Sequence, residues 1–208
     1  MLVEKSLRKL VITFKEDPLR FFNERELHHV FHDGVCSMLG DDMRFCFELP
    51  TKEKYMKRTT GYLEPYRKGT SAFLDLAIVD ARKTPVVGLE MNLNISNSRR
   101  SFETLDLFRT HSMNDFEKLT NTKNKVGVGY LLHFLYDDLR STRSTDRRAM
   151  KRLKQLQERK RQYWDVLVSL SKTNTKHTEL KILQAEVSVE PNENELRTRG
   201  IPKGWLSL

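Results

Sequence analysis

Two carboxylates set among apolar residues, Asp75 and Glu90, are the residues of this chain whose surroundings point most directly to chemistry. They lie in the stretch SAFLDLAIVDARKTPVVGLEMNLNI, residues 71–95. Alternation along this stretch predicts two short strands joined by a turn. In the first, Leu74, Leu76 and Ile78 fall on one face and Phe73, Asp75, Ala77 and Val79 on the other, so Asp75 stands alone among apolar neighbours. In the second, Val87, Leu89, Met91, Leu93 and Ile95 form an unbroken apolar face opposite Gly88, Glu90, Asn92 and Asn94. Residues 81–85 are long enough for a hairpin loop, and Pro85 falls at a strand entry, where its missing N–H does least harm. Paired as neighbours, the strands would project Asp75 and Glu90 from one face. Adjacent carboxylates raise each other's pKa unless a cation compensates them. An all-oxygen pair suits a hard ion such as Mg²⁺, with Mn²⁺ as a substitute. The plainer reading is two exposed charges on a solvated sheet face.

The elements that would position this pair follow in a definite order. Leu2, Leu7, Leu10, Val11 and Phe14 predict a short packing helix, stopped at Asp17-Pro18. A second helix carries Glu24 and Glu26; Asn23 could cap it, with Glu26 completing a capping box. Leu27, Val30, Phe31, Val35 and Met38 continue it at helical spacing to a stop at Gly40. Its acids suit the helix dipole without any further role. His28 and His32 are spaced for a shared metal on this helix, but no nearby residue completes a tetrahedral set, which favours ordinary histidines. Residues 44–49 alternate as a strand. Residues 51–70 read as a long basic surface loop whose Tyr55, Tyr62 and Tyr66 either stack on nucleic acid or fold back on the core. After Glu90, Phe102, Leu105, Leu107, Phe108, Phe116 and Leu119 predict a helix bent or interrupted around His111-Ser112. The apolar run 126–136 then predicts a strand buried on both faces. Strand, helix and strand in succession imply a crossover within a mixed sheet.

This order resembles the PD-(D/E)xK nuclease superfamily, in which an Asp on one strand precedes a Glu-x-Lys on the next. The matching positions are Asp75 and Glu90-Met91-Asn92, and Asn114-Asp115-Phe116-Glu117-Lys118-Leu119 is similar to the Asp-x-x-Lys-Leu found on the following helix of many members. The resemblance covers about residues 20–137. It implies an α/β fold with a restriction endonuclease-like αβββαβ core, a mixed central sheet flanked by helices. It implies Mg²⁺-dependent hydrolysis of nucleic acid, DNA favoured over RNA, and allows a homodimer. Asp75 and Glu90 would hold the ion with the backbone carbonyl of Met91, and one of Glu24 and Glu26, with Glu26 the candidate, would be an outer ligand. Asn92 departs from the pattern, since it stands where the motif has lysine. An amide can hydrogen-bond a water but can neither take a proton nor carry charge. Lys68 is a candidate for a lysine that has migrated. The other reading is a nuclease-like fold that has lost its chemistry and binds nucleic acid or a protein partner without cleaving.

Composition narrows the classes. The 208 residues suit one domain over 1–190 and a polar tail over 191–208, with a last strand near 178–189 that looks irregular around Ile182-Leu183. A net charge of +9 favours anionic partners, nucleic acid before membrane surface. Cys36 and Cys46 form no ligand pattern and read as buried residues of a reduced protein. No apolar run reaches the length of a membrane span, and the scattered charges of the first seventeen residues give no signal-peptide core, so the expected location is cytoplasmic, or nuclear in a eukaryotic host.

Residues 139–162 hold ten basic residues against Asp146 and Glu158, nearly the whole net charge. Met150, Leu153, Leu156, Tyr163, Trp164, Leu167 and Leu170 recur at helical spacing, which predicts one long amphipathic helix over about 139–170. Its basic face offers Arg140, Arg143, Arg147, Arg148, Lys151 and Lys154 to phosphates, because solvated helix faces usually mix signs. Replacing Arg147, Lys151 and Lys154 with alanine should weaken binding to all nucleic acid sequences alike. The slope of log K against log salt should fall by about 0.9 for each duplex phosphate that the helix no longer neutralises. An unchanged slope would show a merely solvated face.

Overall fold

Asp80 shapes the turn of the central hairpin. Its carboxylate accepts the backbone N–H groups of Arg82 (2.9 Å) and Thr84 (2.8 Å), an arrangement that fixes a tight reversal. The strands it joins, Thr70–Val79 (β3) and Pro85–Asn97 (β4), pair antiparallel with Leu76 opposite Leu89, Ala77 opposite Gly88 and Ile78 opposite Val87. In the computed structural model the described residues are 2–57, 63–65, 70–97, 101–138, 147–173, 175, 177–189 and 196–199.

Around the hairpin the chain builds a mixed seven-stranded sheet with five long strands and two short edge strands. Arg44–Lys57 (β1) pairs antiparallel with β3 and with the short Leu63–Pro65 (β2). On the other side β4 runs parallel to Val128–Asp138 (β5), which runs parallel to Glu179–Val189 (β6). Leu196–Arg199 (β7) closes that edge antiparallel to β6, so the spatial order is β2-β1-β3-β4-β5-β6-β7. The parallel pairs need crossovers. These are the helices Ser101–Thr120 (α3), between β4 and β5, and Arg147–Ser171 (α4), between β5 and β6.

One helix pair covers each face. Leu2–Glu16 (α1) and Glu24–Cys36 (α2) bury Leu7, Leu10, Phe14, Leu27, Phe31 and Val35 against Leu76, Leu89, Met91, Leu132 and Phe134. Ser6 ties the two helices by donating to Gly34 O (2.9 Å). On the opposite face α3 and α4 bury Leu119, Tyr163, Leu167 and Leu170 against Leu74, Leu131, Leu135 and Ile182. No helix among the described residues is long and apolar enough to cross a membrane.

Several sequence expectations change. β1 continues past residue 49 to Lys57, and β2 adds a strand where a loop was expected. α3 runs unbroken through His111-Ser112, because Ser112 is a buried polar contact of α4: its Oγ lies 3.1 Å from the Tyr163 hydroxyl. β6 is regular, since Ile182 and Leu183 serve opposite faces. Residues 196–199 of the expected loose tail pair with β6. α2 ends at Cys36 rather than Gly40, and both cysteines are half-buried. The described part of the basic helix begins at Arg147; residues 139–146 lie outside the described residues.

The strict alternation expected of β3 also fails at one point. Leu76 and Ile78 face α1 and α2, but Leu74 faces α3 and α4. Its partner strand switches with it. Phe47 packs on His29 and His32 of α2, whereas Leu49 packs toward the α3 side. Glu48, between them and opposite Asp75 in register, takes a left-handed backbone conformation (φ 49°) that makes the switch.

Phe134 is the hub of the α1–α2 layer, 1% exposed and edge-on to Phe14 with ring centroids 5.1 Å apart. Phe134→Ala should cost about 3–5 kcal/mol. A shift in the urea midpoint equivalent to less than about 1 kcal/mol would contradict this packing.

Candidate active site at the splayed end of the hairpin

β3 and β4 stop pairing beyond Leu76 and Leu89, and the strands part. On the edge of β4 facing the gap, the N–H groups of Met91 and Leu93 lose their ladder acceptors. Side chains replace them. Asp75 Oδ2 accepts from Met91 N (2.9 Å), and Glu24 Oε1 of α2 accepts from Leu93 N (3.2 Å). Two carboxylates thus fill a notch where a strand would otherwise lie.

Glu90 points from β4 toward α3 and is 1% exposed. Lys118 of α3 meets it, with Nζ 2.7 Å from Glu90 Oε2, 2.9 Å from Asp115 Oδ1 and 3.2 Å from the carbonyl of Phe73. Three acceptors match the three N–H bonds of an ammonium. Asp115 is held in turn by Asn92, whose Nδ2 donates to Asp115 Oδ2 (2.8 Å). The end of α3 is pinned from outside. Asn124 Nδ2 donates to Lys118 O (2.8 Å) and Thr178 Oγ1 to Leu119 O (3.2 Å). Gly88 permits this close approach, because a Cβ there would lie 3.1 Å from Leu119 Cδ2 and 3.0 Å from Val126 Cγ1.

Four carboxylates, Glu24, Asp75, Glu90 and Asp115, therefore face one lysine. Burial pushes Glu90 well above the ordinary glutamate range, even with Lys118 pulling it down. Burial also raises Asp75 against the pull of Lys118, and raises Glu24 against the Leu93 N–H. Burial alone would lower Lys118, but Glu90, Asp115 and Asp75 hold it far above its usual value, so it stays charged. His28, one turn after Glu24 on α2, is lowered by burial while Asp75 pulls it up. Its Nε2 is buried without a hydrogen-bond partner, as is Glu90 Oε1. Among the described residues no three His, Cys, Asp or Glu side chains form a ready-made metal cage.

The structure brings together Asp75, Glu90 and Asn92 of the expected site, with differences. Asp75 bonds backbone in the gap instead of standing on the regular polar face, because the strand switches faces there. Asn92 has its amide donor on Asp115 rather than free to orient a water, and it is 5% exposed. Met91 contributes its N–H, to Asp75. Glu26 gives a carboxylate oxygen to the Phe22 N–H in place of the expected Asn23 capping box, and Glu24 is the acid of α2 that bonds β4. Lys151 and Lys154 are exposed on α4, and Arg147 and Arg148 lie in its first turn. Lys68, Arg140 and Arg143 lie outside the described residues. Sequence reasoning missed the role of Lys118, although its signal was present: Asp115 and Lys118 are three apart, on one helical face, directly after the Glu90 strand.

The Asp75 carboxyl ordinarily titrates near 3.8, and burial raises it in the folded chain. The unfolded chain therefore releases this proton first as pH rises. The group's contribution to stability is present below about pH 3.8 and is lost as pH climbs through the folded value. Asp75→Asn keeps an acceptor for Met91 N–H without the charge. It should melt above wild type at about pH 8 without divalent ions, and the gap should close toward pH 4. Equal melting temperatures across that range would show that the carboxylate carries no desolvation cost.

The chain matches no protein-family model, no curated protein and no solved structure.

Proposed function

We propose that the chain is a divalent-metal-dependent nuclease of the PD-(D/E)xK type, hydrolysing phosphodiester bonds of DNA. The observation that carries this reading is Lys118, whose ammonium lies 2.7 Å from Glu90 although the motif position for lysine holds Asn92. The order α2, β1, β3, β4, α3, β5 supports a restriction endonuclease-like core. So does the break in pairing beside Asp75 and Glu90.

The residues fit a hard cation. Glu90 Oε1 is a buried acceptor without a partner, and four carboxylates outweigh the single ammonium. Asp75 and Glu90 would hold Mg²⁺ or Mn²⁺, with the carbonyl of Met91, and all of these donors are oxygens. Such an ion, when bound, neutralises charge on the phosphate and acidifies water. Lys118 remains protonated among its acids, so its role is electrostatic: its charge offsets the surrounding carboxylates and the charge that develops on the phosphate. Asn92 is a positioning residue, because it holds Asp115 and Asp115 holds Lys118. The basic residues of α4 would supply further phosphate contacts.

One observation favours the second reading, a nuclease-like fold that binds without cleaving. Lys118 already commits its N–H groups to Glu90, Asp115 and Phe73, as a purely structural lysine would. Single-turnover cleavage of labelled DNA and RNA with Mg²⁺ and with Mn²⁺ separates the two. Wild type should cleave, Lys118→Met should be slower by about 10²-fold or more, and Asn92→Ala should fall between. Asn92→Lys tests whether a lysine on the strand replaces the one on the helix. Nucleic acid that is bound but uncut by wild type under all conditions would leave the binding-only fold.

A further inference from the structure

Two phenylalanines beside the notch are exposed: Phe22 is 81% and Phe73 49% exposed. Single exposed apolar residues are ordinary, but these two are placed alike. Each stands two residues before a carboxylate that fills the notch, Phe22 before Glu24 and Phe73 before Asp75. Those carboxylates bind the N–H groups of Leu93 and Met91, which are two residues, or about 7 Å, apart on one edge of β4. The chain segments bearing the two rings are therefore tied to neighbouring points of the same notch. Leu74 turns toward α3 and α4, so its neighbour Phe73 turns toward the α2 face, where Phe22 leads into α2.

Cations accompany Phe22. Arg20 and Arg25 are exposed and flank Phe22 in the chain. Exposed aromatic faces next to cations suit unpaired nucleotides, whose bases stack while their phosphates pair with the charge. A fully paired duplex keeps its base faces stacked inside and offers the rings none. A chain of net charge +9 also favours this occupant over an apolar protein surface.

We propose that Phe22 and Phe73 stack unpaired bases on the two sides of the phosphate addressed by Asp75 and Glu90, with Arg25 on the backbone. The substrate is then a single strand, or a duplex with a flap, loop or frayed end. This rests on the nuclease reading for the position of the phosphate, though stacking itself is measured without cleavage.

Fluorescence anisotropy in EDTA, with a labelled twelve-nucleotide oligothymidine strand and a blunt, fully paired, GC-ended duplex of similar charge, tests it. Wild type should prefer the single strand. Phe22→Ala and Phe73→Ala should each weaken single-strand binding by about tenfold, the size of one base–aromatic stack, and leave binding of the blunt duplex unchanged. Phe22→Trp and Phe73→Trp should restore it. Equal losses on both probes, or none on either, would overturn the proposal. Sedimentation showing a wild-type dimer that the alanine variants split would do so too, by assigning the rings to a second copy. Cleavage of the same probes with Mg²⁺ is scored separately. Ring-dependent binding without cleavage keeps this proposal and rejects the nuclease reading, and ring-independent cleavage does the reverse.

Discussion

Burying Glu90 requires a cation, and Lys118 brings it. A carboxylate removed from water without compensation would be protonated or would unfold its surroundings. The ammonium at 2.7 Å therefore sets conditions on elements far apart in sequence. α3 must lie close enough to β4 for the lysine to reach, which is why residue 88 has no side chain and why Asn124 and Thr178 fasten the helix end. Asp115 must share the charge, and Asn92 must hold Asp115. Even the parting of β3 from β4 enters the same arrangement, because it frees the Phe73 carbonyl for the lysine's third bond.

The excess of acids over this one base is the other half of the constraint. Glu24 and Asp75 act as surrogate strand acceptors, yet each carries a charge that a backbone carbonyl would not. A sheet built only for stability would have continued the ladder with neutral groups. The raised carboxyl pKa values express that cost in the absence of a further cation.

Much of the fold was legible because periodicity reports burial. The hairpin, the doubly buried β5 and the two N-terminal helices follow from apolar spacing, and each depends on only a few neighbouring residues. What escaped depends on partners distant in the chain. Ser112 looked like a helix break because its buried partner, Tyr163, is 51 residues away. Short edge strands such as β7 have little pattern of their own and exist by pairing. Asp75 and Glu90 stood out as charges within apolar strands. Glu24 could not be told from Glu26 until the helix was docked on β4, and Lys118, marked only as part of the Asp-x-x-Lys-Leu resemblance, had no partners until α3 lay against the sheet. The face change at Asp75 was hidden for a related reason: period-two reasoning assumes one continuous pairing, and the pairing ends there.

That face change also limits how the sequence can drift. Glu48 and Asp75 sit opposite each other, and both strands exchange sides at that rung. Removing one residue between the rung and the Pro50–Phe73 pair would put the apolar side chains that follow on the face opposite to their partners'. Extra length is taken up further along the ribbon, where four steps along β1 from Pro50 to Lys54 match two along β3 from Phe73 to Ser71. The rung behaves as a keyed joint, and the acid that marks the notch is one of its two teeth.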